Sequence, residues 1–197
     1  MPSKIVLQAR TERMDAKLAS LVGKNQFPAF EAVGRTIANR IRLCFRLGKD
    51  PFGVPWAPIK WRAPRRGNTG RISRAGKKQI EANAGGAAGQ PLRDTGRLQR
   101  SITSRAWNDF AEIGTSLRAA NGARYPAVHQ FGATITPKKG SRLVFPGPTG
   151  ALIFAKKVTI PARPFLPLTK AGAVNLPKDW NDDVIRVLRA RLLAGKR

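Results

Sequence analysis

Apolar residues recur at helical spacing in three stretches of this chain, and at alternating spacing in the region before the last of them. Met14, Leu18, Leu21 and Val22 predict a helix over residues 10–22, stopped at Gly23. Asn25-Gln26-Phe27-Pro28 is a break, and Pro28 suits the start of a second helix over 29–47. There Phe30, Val33, Ile37, Ile41, Cys44 and Phe45 share one stripe, while Arg35, Arg42 and Arg46 lie largely off it. Gly48 is the expected C-cap, and Cys44 reads as a small core residue. The last helix is predicted over 180–194. Trp180, Val184, Ile185, Val187, Leu188, Leu192 and Leu193 supply its apolar face. Asn181, Asp182 and Asp183 at its start and Arg189 and Arg191 further on suit the helix dipole. Lys196-Arg197 is expected to fray.

Between the second and last helices the period changes, and most of the order-specifying punctuation falls within residues 92–166. Asp94 or Thr95 is placed to cap a short helix over 97–102, with Leu98 and Ile102 turned to the core. Two strand-like runs, 103–107 and 110–115, flank the turn residues Asn108-Asp109. In the second run Ala111, Ile113 and Thr115 alternate with Glu112 and Gly114, as in a half-buried strand. Residues 125–131 fit two helical turns closed by Gly132. Further strands are predicted at 134–136, at 142–145 and 151–154 around Pro146-Gly147-Pro148-Thr149-Gly150, and at 157–160. The prolines of Pro161-Ala162-Arg163-Pro164 then impose an extended, edge-type path.

Residues 50–91 have a different texture. Asp50-Pro51-Phe52-Gly53-Val54-Pro55-Trp56-Ala57-Pro58 reads as an ordered loop pinned by Trp56, with Trp61 a second anchor. A basic arm follows: Lys60, Arg62, Arg65, Arg66, Arg71, Arg74, Lys77 and Lys78, with no acid before Glu81. Its sharp reading is a tether to phosphate or to an acidic neighbour; its plain reading is a solvated loop. A helical turn is allowed at 77–82, and 83–91 reads as a Gly/Ala linker. The fold class expected is α+β: two N-terminal helices, a small mostly antiparallel sheet, a short inserted helix and a C-terminal helix. These form a single domain over 1–197, with the basic arm and linker at about 60–91.

Composition narrows the function. The 197 residues include 42% hydrophobic residues, enough for a core, and mean hydropathy is −0.31. No run approaches the ~20 apolar residues of a membrane span, so no membrane partner is expected. The N-terminal apolar run is too short for a signal peptide, so the expectation is a protein used without secretion. Lys plus Arg number 37 against 11 Asp plus Glu, a formal charge of +26. That imbalance points either to nucleic acid or to an acidic protein surface. No zinc finger, aromatic RNA-recognition strand or clear helix-turn-helix is present.

The same inventory argues against an enzyme. A single cysteine, Cys44, excludes an intrachain disulfide and a cysteine-based zinc site, and one histidine with scattered acids is a poor supply of metal ligands. No catalytic, metal or cofactor residues are assigned. His129 is the sole candidate general base, with Glu112, Asp94 and Asp109 the nearest acids in sequence, and reads more simply as a packing residue. Nucleotide-binding and hydrolase motifs are missing; Gly85-Gly86-Ala87-Ala88-Gly89 lacks the Lys-Ser/Thr that would hold a phosphate.

Five pieces, in order and spacing, resemble the virion morphogenesis family of Mu-like tailed bacteriophages, related to tail-completion proteins of other long-tailed phages. They are the 50–58 loop, Thr95-Gly96-Arg97-Leu98-Gln99-Arg100-Ser101-Ile102, Ile113-Gly114-Thr115, His129-Gln130-Phe131-Gly132 and Ile160-Pro161-Ala162-Arg163-Pro164-Phe165-Leu166. The resemblance covers roughly 50–168. It implies a non-enzymatic structural protein of the virion, made in the host bacterial cytoplasm and placed at the head–tail neck. It further implies a ring, commonly a hexamer, that meets the tail tube protein and the head connector or stopper, close to packaged DNA. In that setting His129, Gln130, Phe131, Ile160, Pro161, Arg163, Pro164 and Phe165 are candidate subunit-interface residues, with intrachain packing the plainer alternative. The cations of the 60–78 arm are candidates for DNA or an acidic partner. The resemblance does not separate a tail terminator from a completion factor. A basic nucleic-acid-binding protein is the competing reading; it explains the charge but not the Pro-x-Arg-Pro-Phe segment or the ordered Trp56 loop. A small hydrolase of the phage lysis apparatus is disfavoured by the missing carboxylate and zinc sets.

Overall fold

The computed structural model describes residues 4–8, 26–60, 71–84, 89–119, 122–138 and 140–194. The helix expected at 10–22 lies outside them. The centre of the fold is helix α1 (Phe27–Leu47), which enters at Pro28 and ends at Gly48, where a φ of 68° lets the Gly48 N–H reach the Cys44 carbonyl at 2.8 Å. Two faces of α1 are covered. One packs on a three-stranded antiparallel sheet in the order β1 (Lys4–Gln8), β3 (Phe110–Gly114), β2 (Thr103–Ala106). The other carries α5 (Lys178–Ala194). Ala29, Ala32, Gly34 and Ala38 are therefore buried along with the predicted stripe of Val33, Ile37, Ile41 and Phe45. Small residues let a helix approach two neighbours at once: Gly34 sits where an added Cβ would lie 3.0 Å from the Ser104 Cβ.

Strand β1 was not anticipated. It pairs with β3 from Lys4 opposite Gly114 to Gln8 opposite Phe110, and so makes β3 the central strand. Strands β2 and β3 fall where the alternation places them; Ala111 and Ile113 are fully buried, and the Trp107 and Phe110 rings stack at 4.4 Å across the turn.

The seam between α1 and α5 is held by charge. Arg40 donates to the Asp183 carboxylate through Nε at 2.8 Å and again through its terminal nitrogen, and reaches Asp179 at 3.2 Å. Arg186 adds a further bond to Asp183. Hydrogen bonding from Arg40 holds the Asp183 carboxyl below its ordinary value. Asp183 therefore serves the contact with α1 as well as the dipole of its own helix. Trp180, Val184, Val187 and Leu188 turn to the core, as predicted, whereas Ile185 is exposed. Cys44 is buried on α1, and burial pushes its thiol up to about 12, in keeping with a core role.

Three further elements correct the sequence reading in detail. Helix α2 (Arg74–Ala84) occupies part of the basic arm where only a turn at 77–82 was expected. Helix α3 (Arg97–Arg100) stops before Ile102, and its N-cap is Gly96 at φ 68°, neither Asp94 nor Thr95; the Thr95 hydroxyl instead accepts the Arg97 N–H at 3.3 Å. The strands do not form one sheet. Beyond the three-stranded sheet, β4 (Ala133–Ile135) pairs with β7 (Val158–Ile160), and β5 (Leu143–Pro146) pairs with β6 (Leu152–Ala155), all antiparallel. The second pair is nested within the first in sequence, so an arm between Gly132 and Pro161 carries two antiparallel ribbons, β4–β7 nearest its ends and β5–β6 in its middle.

That arm starts at Gly132, which follows helix α4 (Tyr125–Phe131) with φ 72° and ψ 168°. A Cβ there would lie 3.0 Å from both the Ala162 nitrogen and the Ile160 oxygen. Backbone dihedral and backbone crowding both demand glycine. Gly132→Ala is expected to lower unfolding stability by about 2–4 kcal/mol, read as a fall in the denaturant midpoint with an unchanged slope.

Candidate functional site at the base of the arm

The five quoted sequence pieces converge on one region, the base of the β4–β7 arm. After β7 the chain passes through Pro161, Pro164 and Pro167, none of which has an N–H to give to a ladder. Several of its other backbone groups go to side chains. The Gln130 amide on α4 accepts the N–H groups of Phe165 at 3.0 Å and Leu166 at 2.9 Å, and donates to the Leu166 carbonyl at 2.9 Å. The Trp56 indole N–H donates to the Pro164 carbonyl at 2.7 Å. Arg163 closes the junction from the other direction. Its backbone N–H reaches the His129 carbonyl at 2.7 Å, and its guanidinium donates to the Ala57 and Pro58 carbonyls at 2.8 and 3.2 Å.

Beneath the strap lies an aromatic cluster. Phe45 of α1 meets Trp56 edge-on at 5.5 Å and Phe165 at 5.3 Å. The Trp56 loop is set by Asp50, whose carboxylate accepts the N–H groups of Phe52 and Val54. The remaining two pieces meet beside it: Ser101 and Thr115 share a hydrogen bond of 2.7 Å between their hydroxyls, and Thr115 is buried. Gln99 and Arg42 tie α3 to α1 through the Arg42 and Ile102 carbonyls.

The residues proposed from sequence for subunit contact divide into two groups. Gln130, Arg163 and Phe165 are buried, and the contacts just described engage them within the subunit. Phe131, Ile160 and Pro164 are half-buried and Pro161 is exposed at the arm's base. His129 is half-buried at an open cleft of about 650 Å³ lined by residues including Ile59, Leu92, Arg97, Leu98, Tyr125 and Arg163. Leu92 holds a left-handed φ of 60°, a strained conformation for this side chain. Of the basic candidates, Lys60 and Arg71 are exposed, and Arg74, Lys77 and Lys78 are exposed on α2 at positions i, i+3 and i+4. Arg62, Arg65, Arg66 and Trp61 lie outside the described residues. The cleft was not legible in the sequence, because its walls come from six separate stretches.

Burial, with the Arg163 charge close by, holds the His129 imidazole below its ordinary 6.5, so it is neutral near pH 7. Among the described residues no cluster of three or more His, Cys, Asp or Glu side chains is placed to hold a metal ion. Nor is any described helix long and apolar enough to cross a membrane.

Comparison with known proteins places this arrangement. The profile of the phage virion morphogenesis family matches residues 6–180. The chain is also similar to the protein called Mu-like prophage FluMu G protein 2 of Haemophilus influenzae, at 37% identity over 94 residues, 48% of this chain and 51% of that protein. The chain thus spans about half the length of that curated relative. No solved structure matches it.

Two outcomes follow from the junction. Gln130→Met keeps the side-chain volume but leaves two N–H groups and a carbonyl buried without partners; it is expected to cost about 2–4 kcal/mol of unfolding stability. His129 gives a pH signature. Below the ordinary imidazole range the unfolded chain takes up a proton that the folded chain refuses, so stability falls as pH drops from ~7 towards ~5. His129→Gln is expected to flatten that slope in urea titrations across the same window.

Proposed function

The chain belongs to the phage virion morphogenesis family, and on that premise we propose that it is a structural, non-enzymatic subunit of the head–tail neck. In this reading its copies close into a ring on the end of the tail tube, commonly a hexamer, and complete or terminate the tail so that the filled head can join. The observation that carries the proposal is the arm. Val144 pairs with Phe154 and Pro146 with Leu152, which puts Val144, Leu152 and Phe154 on one face of the β5–β6 ribbon. They are 54%, 57% and 57% exposed.

A two-stranded ribbon is marginal in water unless something covers a face, and an apolar strip of this kind is characteristic of a surface that is buried on assembly. The base of the same arm is fixed by Gln130, Arg163 and Gly132. A rigid root with an uncovered tip suits a subunit that reaches its neighbours in a ring. The high positive charge fits acidic surfaces on the tail tube or the head connector, or DNA in the channel.

The test is electron microscopy of particles from a phage that cannot make this chain. Filled heads beside unattached tails are expected, and abnormally long tails among them would identify a terminator. Intact, infectious virions would overturn the proposal and leave the basic nucleic-acid-binding reading, to be pursued through the salt dependence of DNA binding.

A further inference from the structure

Arg163 carries its charge into the subunit with no carboxylate among the described residues to meet it. The residue is 8% exposed, and the partners of its guanidinium among the described residues are the two carbonyls of Ala57 and Pro58. Carbonyl dipoles satisfy its N–H groups but leave the net charge uncompensated, which is uncommon for a buried arginine. Arg163 lines the cleft of about 650 Å³, and so does Arg97, whose guanidinium makes no ion pair with a described residue. Asp94 is the one acid among the described lining residues.

His129 adds a second unmet group. Its Nδ1 is buried and has no hydrogen-bond partner among the described residues. The Tyr125 ring stands edge-on to the imidazole at 6.0 Å and leaves it in the cleft wall. The rest of the lining mixes aliphatic Ile59, Leu92 and Leu98 with polar Gln79 and Thr95.

We propose that this cleft is a docking site for an acidic segment of a partner protein, an Asp or Glu side chain beside an aliphatic residue. The carboxylate accepts hydrogen bonds from Arg97 and offsets the charge of Arg163. The aliphatic residue packs on Ile59, Leu92 and Leu98. A nucleic-acid strand fits less well, because a phosphate backbone needs an open cationic track with stacking faces, and the described lining sets two arginines beside one acid and the aliphatic Ile59, Leu92 and Leu98. The inference goes beyond the neck reading. It concerns a single subunit in solution, so it stands or falls independently of where the protein sits in a virion.

Calorimetric titration of the full chain near physiological salt tests it, with a short acetylated peptide of alternating leucine and glutamate as probe. The expected result is saturable binding, lost when the glutamates are replaced by glutamine. Binding is expected to weaken about tenfold in Arg97→Gln and to be unchanged in Lys170→Gln, an exposed cation away from the cleft. His129 is the chain's only histidine, so the imidazole nitrogen resonances report the site without assignment and are expected to shift at saturation. Equal weakening by both substitutions would mean general attraction to a cationic surface and would overturn the proposal. So would an unshifted imidazole at saturation, or displacement of the peptide by oligothymidylate with the same imidazole shift.

Discussion

Much of this structure depends on how a proline-rich strap satisfies its backbone. Pro161, Pro164 and Pro167 keep residues 161–167 out of any sheet, yet Phe165 and Leu166 are fully buried. Buried backbone groups must find partners, and here the partners are side chains: one amide from α4, one indole from the 50–58 loop. The strap therefore cannot be placed until α4 and the loop are placed. The dependence runs the other way too, since Arg163 holds the Ala57 and Pro58 carbonyls and Phe165 fills the space beside Phe45 and Trp56. Separate stretches of chain become one junction because each closes the others' hydrogen-bond needs. Such mutual satisfaction rigidifies a site when complete and leaves little slack for substitution.

Helices α1, α4 and α5 and most strands were legible because their signals are local. The stripe on α1, the alternation in β3, the Gly48 cap and the Pro28 start each occupy a few neighbouring positions and each has one physical cause. What escaped is non-local. Strand β1 has an ordinary apolar run, and nothing near it in sequence says that its partner lies about a hundred residues on. The N-cap of α3 went to Gly96 because the chain needs a left-handed residue there, and a glycine meets that need more cheaply than Asp94 or Thr95. The site was half legible. The motif residues were recognisable as a group, but the inward orientation of Gln130, Arg163 and Phe165 depends on pairings over tens of residues. The exposed strip on β5–β6 was invisible for a related reason: alternation says that two faces differ, and here both faces are apolar.

Charge distribution follows the same division between root and surface. The acids are few, and at the α1–α5 seam Asp179 and Asp183 are matched to Arg40, with Asp183 also taking Arg186. Exposed pairs such as Glu31 with Arg35 and Asp182 with Lys178 add little to stability. Asp50 serves a turn. With its acids so engaged, the subunit has few carboxylates to set against the rest of its 37 cations. The net charge of the isolated chain works against compactness and against like copies meeting, so any self-assembly must rest on apolar contact or on acidic partners that screen the charge.

These two demands fall on different parts of the molecule. The β5–β6 face supplies apolar area with a basic base, since Arg142, Lys156 and Lys157 flank its strands. The cleft at the arm's root supplies a cation, Arg163, that meets no carboxylate among the described residues. An interface that used the ribbon alone would bring like charges together; one that used the cleft alone would leave the ribbon wet. Engaging both removes the apolar strip from water and neutralises the buried guanidinium in the same event. The two features are joined through Gly132, Ile160 and Arg163, the residues whose backbone geometry fixes the arm's direction. The Arg163 N–H bond to the His129 carbonyl and the close approach of Gly132 to Ile160 and Ala162 join the arm's root to the wall of the cleft.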